Sequence, residues 1–312
     1  MVGPVSPGEQ LLLPGFRVRD VRETDRAAIL AMTANTWAFG DYIEWVFDTW
    51  LADRQGRFIA AEQVETGRLA AIDKITFISP EEAWFEGLRV APEFRGLGLA
   101  SHLQTYMINE VRRAGAYAIR LLTSISNKPV QRVAYRDGFV LKSIVSFWKW
   151  TAADATSPIP AKQMLRNASA DEAGTLFDWW LRSSAYRTGG LCHRNWSYSE
   201  TGPAEWSRAA VDGRLFVMGE ENGDWFLPPA SVMITSEEKN DGAKLWIVAA
   251  VCAQGTEWTP LMTGLLRQAR AQGVGEINGL FARDPEAEAA LQAVGFSPDE
   301  DDEPLCLFEL RL

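Results

Sequence analysis

Between residues 83 and 116 the chain changes its period abruptly. AWFEGLRV (83–90) is patterned as a strand, LASHLQTYMINEVRRAGA (99–116) has the spacing of an amphipathic helix, and Arg95-Gly96-Leu97-Gly98-Leu99-Ala100 lies at their junction. A strand passing into a helix through two glycines and an alanine is an α/β building unit. Gly98 and Ala100 let the backbone come close to a bulky ligand with no side chain intruding. The first amide N–H groups of a helix starting near Leu99 have no partner inside that helix, and with the helix dipole they suit an anion such as a pyrophosphate. Arg95 brings a permanent positive charge to the same place. The same small-residue turn also serves plain strand–helix packing, so the turn by itself does not decide between the two uses.

The rest of the chain supplies a context. Residues 16–21 alternate like a strand, 23–37 have helical spacing, 58–78 read as two antiparallel strands around Glu65-Thr66-Gly67, 117–125 as a strand, 128–139 as a short helix and 140–150 as a strand. The order is β-α-ββ-β-α-β-α-β. After TAADATSPIP (151–160), which has the composition of a linker, a similar order returns: 214–235 resembles the strand pair, 244–251 the strand before the glycine turn, 260–273 the long helix, and DPEAEAALQAVGF (284–296) echoes NKPVQRVAYRDGF (127–139). Two matching halves indicate an internal duplication. A chain of 312 residues is long for a single core, which agrees with a tail at 1–15, a first domain at 16–150, the linker, and a second domain at 161–312.

Composition excludes several classes. A net charge of −10 argues against a nucleic-acid binder. Two histidines, His102 and His193, and three scattered cysteines give neither a histidine metal site nor a disulfide framework. No apolar run approaches the ~18 residues of a membrane span, and the first residues lack the pattern of a signal peptide. The expectation is a cytoplasmic protein, monomer or homodimer, with no metal, nucleic-acid or membrane partner.

The residues around the turn resemble the GCN5-related N-acetyltransferase (GNAT) superfamily. Leu88, Val90, Pro92, Arg95, Gly98 and Ala100 match its first block, and Asn127, Tyr135 and Gly138-Phe139 its second, while Val130 stands where alanine is expected. The resemblance implies a mixed α/β fold, here as two tandem GNAT-like domains with the second degenerate. It implies acetyl-coenzyme A as the acetyl donor, held by Leu88, Arg89, Val90, by the turn Arg95, Gly96, Leu97, Gly98, Leu99 and Ala100, and by Asn127.

Acetyl transfer to an amine needs a base, because an ammonium is not nucleophilic. Glu86 is the candidate, on the strand face it is expected to share with Leu88 and Val90; the alternative is a carboxylate paired with Arg89 or Arg120. Backbone N–H groups near Leu88–Val90 are expected to face the developing oxyanion, provided this strand splays from its neighbour as it does in the family. Tyr135 falls at the family's general-acid position, the alternative being a packing residue on its helix. No cysteine falls in the matching segments, so transfer is expected to be direct, in a ternary complex. His102 is expected to be a partly exposed helix residue.

In the second half Cys252 replaces the arginine, Glu257 stands in place of Ala100, Gln292 in place of Tyr135 and Asp284 in place of Asn127. A carboxylate at that helix start repels a pyrophosphate, so this half is expected not to bind the donor. For the acceptor, TWAFGDYIEWVFDTWL (36–51) offers Trp37, Phe39, Tyr42 and Trp45 as walls and Asp41 or Glu44 as holders of a cationic amine. An ordinary amphipathic helix also explains Tyr42, Trp45, Val46 and Trp50. This stretch, with 81–100, is distantly similar to the histidine N-acetyltransferase group, which implies a small amine or amino acid as acceptor. A non-catalytic acyl-coenzyme A sensor and a protein or peptide N-acetyltransferase remain as alternatives. LCHRNWSYSE (191–200) is a candidate for the site or for a dimer interface.

Overall fold

A computed structural model describes residues 10–36, 40–152, 165–183, 185–219, 230–239, 242–298 and 303–312. In chain order the elements are β1 (Gln10–Leu13), β2 (Phe16–Asp20), α1 (Arg26–Thr33), α2 (Ile43–Ala52), β3 (Arg57–Gln63), β4 (Leu69–Ser79), β5 (Glu82–Val90), α3 (Leu99–Ala114), β6 (Ala118–Ser124) and α4 (Lys128–Arg136). They continue with β7 (Val140–Thr151), β8 (Leu165–Asn167), α5 (Ala170–Ser183), β9 (Cys192–Arg194), β10 (Ser197–Ser199), α6 (Pro203–Val211), β11 (Leu215–Met218) and β12 (Ser231–Glu238). The last are β13 (Lys244–Cys252), α7 (Trp258–Ala271), β14 (Val274–Ala282), α8 (Pro285–Ala293), β15 (Ser297–Pro298) and β16 (Leu305–Arg311). The fold is mixed α/β, with antiparallel and parallel strands in its sheets.

These elements form two compact units. Unit 1 runs to Leu121 and adds Lys128–Val140 and Phe308–Leu312; unit 2 takes Leu122–Asn127 and Leu141–Leu307.

In unit 1, β1 to β5 pair antiparallel in sequence order, and β5 pairs parallel with β6. The strand beside β6 is β16, and the Leu312 N–H donates to the Tyr117 carbonyl at 2.9 Å. α2 buries Ile43, Phe47 and Trp50, spaced by four and three residues, against Ile29 of α1 and against Phe58, Ala60 and Ile72 of the sheet. Phe58 meets Phe47 and Trp50 edge-on at ring separations of 5.7 and 5.2 Å. Fully buried Arg120 is held by Glu82, and by Glu309 of β16 at 2.8 Å.

Unit 2 repeats this strand logic. β8, β11, β12 and β13 pair antiparallel, β13 pairs parallel with β14, and the strand next to β14 is β7. Trp150, Trp246, Leu261, Leu265, Ile277 and Leu291 fill one cluster, and Phe177, Trp180, Trp206, Val217 and Met233 another.

Two boundaries differ from the sequence reading. Residues 10–13 are not a loose tail. The leucine run pairs with β2 through a turn at Pro14-Gly15, where Gly15 is left-handed at φ +86°. The strand at 140–151, read as the last of the first half, packs from Leu141 onward with unit 2, while residues 308–312 complete unit 1. Of the linker, all but Thr151 and Ala152 lies outside the described residues.

Candidate active site

The site in unit 1 is built on β5. Its parallel ladder to β6 covers Glu82–Phe85 against Ala118–Leu121 and ends there, although β5 runs on to Val90. The splay that the family resemblance implies is therefore present, and it begins at Glu86. On the other side β5 stays paired with β4, but out of phase: Lys74 faces Glu86 and Ile72 faces Arg89, so three steps on β5 match two on β4. This is a bulge at Gly87-Leu88. Gly87 takes φ +78°, and a Cβ there would lie 2.5 Å from Cη2 of Trp50.

The bulge corrects the expected face of Glu86. Residues opposite one another on paired strands share a face, and Ile72 and Lys74 share theirs, so Glu86 lies with Arg89 while Val90, opposite Ala71, points the other way. Leu88, Arg89 and Val90 are half-buried.

Glu86 is not paired with an arginine. Arg89 holds Asp41, with Nε 2.7 Å from Oδ2 and Nη2 3.3 Å from Oδ1, and Arg120 holds Glu82 and Glu309. The Glu86 carboxylate accepts a hydrogen bond from Thr76 Oγ1 at 2.5 Å. Burial raises its pKa above the ordinary glutamate value, against the opposing pull of the Thr76 hydroxyl and of Lys74. Asp73, opposite the bulge, is buried more deeply, and burial holds its carboxyl well above the usual range. The Tyr42 phenol is pushed up to about 12, chiefly by burial; its ring lies 5.5 Å from the Arg89 guanidinium and edge-on to Trp50 at 5.9 Å.

The acceptor candidates thus divide. Tyr42 joins this cluster. Asp41 is 6% exposed and spent on Arg89 and on the Ile43 N–H, so its carboxylate is not offered to a ligand. Glu44 is exposed, as is Trp45 at 71%, which removes Trp45 from the apolar face that helical spacing suggested. Trp37 and Phe39 lie outside the described residues.

The turn leading into α3 is exposed from Arg95 to Gly98, with Gly96 and Gly98 both left-handed at φ +82°. Gly98 is the N-cap, and the first helical bond runs from the His102 N–H to the Gly98 carbonyl at 3.1 Å. The N–H groups of Leu99, Ala100 and Ser101 precede it and are the outward-pointing set of this helix start. Leu97 is exposed and Leu99 buried, so Leu99 anchors the turn while Leu97 lies at its surface. Arg95 Nε donates to the Val90 carbonyl at 3.3 Å, which folds the guanidinium back along the end of β5. His102 is exposed and lies 3.0 Å from the Gly98 carbonyl.

α4 is tied to the first turns of α3. Gln104 donates to Asp137 at 3.0 Å and Arg136 to the Ser101 carbonyl at 3.4 Å. Tyr135, 54% exposed, meets Phe308 edge-on at 5.1 Å. Asn127 stands immediately before α4, its N–H donating to the Ser124 carbonyl at 3.0 Å.

With this geometry the comparisons agree. Residues 24–139 match the acetyltransferase (GNAT) family. The likeness to that family lies within residues 24–139. A histidine N-acetyltransferase from Oreochromis niloticus is 30% identical over 105 residues, 33% of this chain and 31% of that protein. The chain therefore spans about a third of the length of the curated relative it matches. A GCN5-related N-acetyltransferase structure from Sphaerobacter thermophilus superposes with a TM-score of 0.61 at 14% identity, covering 96% of both chains. The GCN5-related glucosamine N-acetyltransferase region of a fungal β-N-acetylglucosaminidase gives 0.54 at 13% identity, over 98% of this chain and 38% of that one. At such identities these two establish the fold alone.

Unit 2 has the same splay but uses it differently. The β13–β14 ladder covers Lys244–Ile247 against Val274–Asn278 and ends, while both strands continue. The β9–β10 hairpin closes the gap. His193 Nε2 lies 3.3 Å from the Trp196 N–H, and Nδ1 lies 3.2 Å from the Val248 carbonyl of β13 and 3.5 Å from the Leu280 N–H nitrogen of β14. Tyr198 donates to the Leu280 carbonyl of β14 at 2.8 Å. Burial lowers His193 to about 4, so it is neutral. A cavity of only about 40 Å³ remains, room for a few waters. A larger one, about 340 Å³, is lined by Lys142, Arg187, Arg283 and Asp284.

At the start of α7, Glu257 accepts the Gln254 N–H at 3.0 Å, and Asp284 caps α8 through the N–H groups of Glu286 and Ala287. The segment 191–200 is thus an internal hairpin of unit 2.

Sequence reasoning missed Asp53, Asp73, Lys74 and Thr76 around Glu86. The signal was present: Asp73-Lys74 interrupts the apolar run AAIDKITFI, and a glycine inside a strand pattern marks a bulge.

Proposed function

We propose that unit 1 is an acetyl-coenzyme A-dependent N-acetyltransferase acting on a small amine or amino acid, and that unit 2 does not bind the donor. The observation that carries this reading is the position of Glu86: a partly buried carboxyl of raised pKa at the residue where β5 leaves β6. The donor supplies a thioester. Its pyrophosphate suits the N–H groups of Leu99–Ser101, where the left-handed Gly96 and Gly98 place no side chain, and Arg95 adds charge beside them. Backbone groups of Leu88–Val90, unpaired on the β6 side, serve the pantetheine arm and the oxyanion. Glu86 takes the proton of the amine, and Tyr135 gives one to the departing thiolate. The amino-acid acceptor is favoured by the similarity to a histidine N-acetyltransferase. In unit 2, the hairpin side chains occupy the strand edges a pantetheine would need, and Glu257 places a carboxylate at the helix start.

Calorimetric titration with acetyl-coenzyme A is expected to give one site per chain, lost in Gly98→Glu. Thiol release with a panel of amino acids and polyamines, L-histidine first, then identifies the acceptor. Tyr135→Phe is expected to keep donor affinity and lose turnover. Two sites per chain, or unchanged affinity in Gly98→Glu, would defeat the assignment of the units.

A further inference from the structure

Lys74 is fully buried and a lysine ammonium has three donors. All three are used: Nζ lies 2.6 Å from Asp53 Oδ2, 2.7 Å from the Ile75 carbonyl and 3.0 Å from Thr76 Oγ1. The packing leaves no slack, because a Cβ at Gly56 would collide with the Asp53 carboxylate, the Ile75 carbonyl and Lys74 Nζ together.

This arrangement has a direction. Thr76 Oγ1 accepts a hydrogen bond from Lys74, so its own hydrogen points elsewhere, and Glu86 Oε1 lies 2.5 Å away to accept it. Every donor in the row Asp53–Lys74–Thr76–Glu86 points away from Lys74 towards a carboxylate. Such a row cannot carry a proton from Glu86 back to Asp53, since the Lys74–Thr76 and Thr76–Glu86 bonds already hold hydrogens aimed towards Glu86. It can only keep Glu86 in the role of acceptor at one oxygen.

We propose that Asp53, Lys74 and Thr76 are positioning residues that hold Oε1 of Glu86 as a hydrogen-bond acceptor, so that Oε2 is the atom that takes the proton of the acceptor amine. The inference rests on Glu86 being the base. Desolvation raises the carboxyl, and the Thr76 hydroxyl and Lys74 charge oppose that rise. The other charged or titratable groups near Glu86 are Asp53 just after α2, Tyr42 at the start of α2, Asp73 on β4, and Arg89 on the same face of β5, which is paired with Asp41.

The test reads the Glu86 carboxyl directly. The full chain is labelled with glutamate carrying 13C at the side-chain carboxyl, the Glu86 resonance is assigned by its absence in Glu86→Gln, and its shift is followed with pH. Thr76→Val is expected to raise the midpoint by about one pH unit, the loss of one hydrogen bond to a charged group. Thr76→Ser is expected to restore it, and Lys74→Met to raise it as Thr76→Val does. A midpoint that stays in place in Thr76→Val overturns the proposal; so does one that rises equally in Thr76→Ser. If Lys74→Met fails to fold, the threonine pair still decides. No acceptor amine is needed, so a chain that transfers nothing would still report the hydrogen-bonded row, and an active enzyme with an unmoved midpoint would refute the row alone.

Discussion

Glu86 is drawn partly out of water, and its behaviour with pH follows from that. In the proposed role of base it must be ionised, so kcat/KM for amine transfer is expected to rise through the raised Glu86 value, above the ~4.3 of an ordinary glutamate. A pH–rate profile checks this, and Glu86→Gln is expected to lose about 10²–10⁴-fold in rate together with that limb. Stability runs the opposite way. With the folded-state pKa above the unfolded one, the favourable contribution of Glu86 is complete below the unfolded value and is lost as pH rises through the folded value. Glu86→Gln is therefore expected to be more stable than the parent at pH 8 and not at pH 4, by urea unfolding at each. Asp41 illustrates the contrary case. Read from sequence it is a free anion near a pocket; in the structure it is matched by Arg89, 48 residues away, and nothing local in GDYIEW announces that partner.

The β5 strand gathers these side chains through one irregularity. Gly87→Ala would force a side chain into a left-handed position and towards the Trp50 ring, 2.5 Å from the new Cβ. The expected loss is about 2–4 kcal/mol in urea unfolding, from backbone strain and overpacking together. Elements whose signals are local were readable beforehand: the glycine turn, α3 with its following Gly115, α4 with Gly138 in the turn after it, and the β3–β4 hairpin around Gly67. The splay at Glu86 was anticipated too, though through the family resemblance. The phase of Glu86 was not, because one inserted residue reverses every face beyond it and strict alternation assumes there is none. The row from Asp53 to Glu86 depends on that shifted register, so it became visible only with the pairing of β4 and β5.

At the scale of the whole molecule, the order of elements along the chain is not the order of strands in a unit. Pattern reading assigns each strand to its sequence neighbours, which is right for β2 to β6 and wrong for β7 and most of β16. Glu309 shows what unit 1 draws from β16: its carboxylate lies on the buried Arg120 guanidinium at 2.8 Å. Glu309→Ala is expected to cost about 2 kcal/mol, the worth of a hydrogen bond to a charged group, measured as a lowered urea midpoint for unit 1 fluorescence. The two partners are 189 residues apart. On a ribosome adding roughly 5–20 residues each second, that separation is roughly ten to forty seconds of synthesis during which β6 has no strand on its far side. A nascent chain of this protein thus leaves that sheet edge open until unit 2 has been made, and an open edge is where other strands can pair in the place of β16.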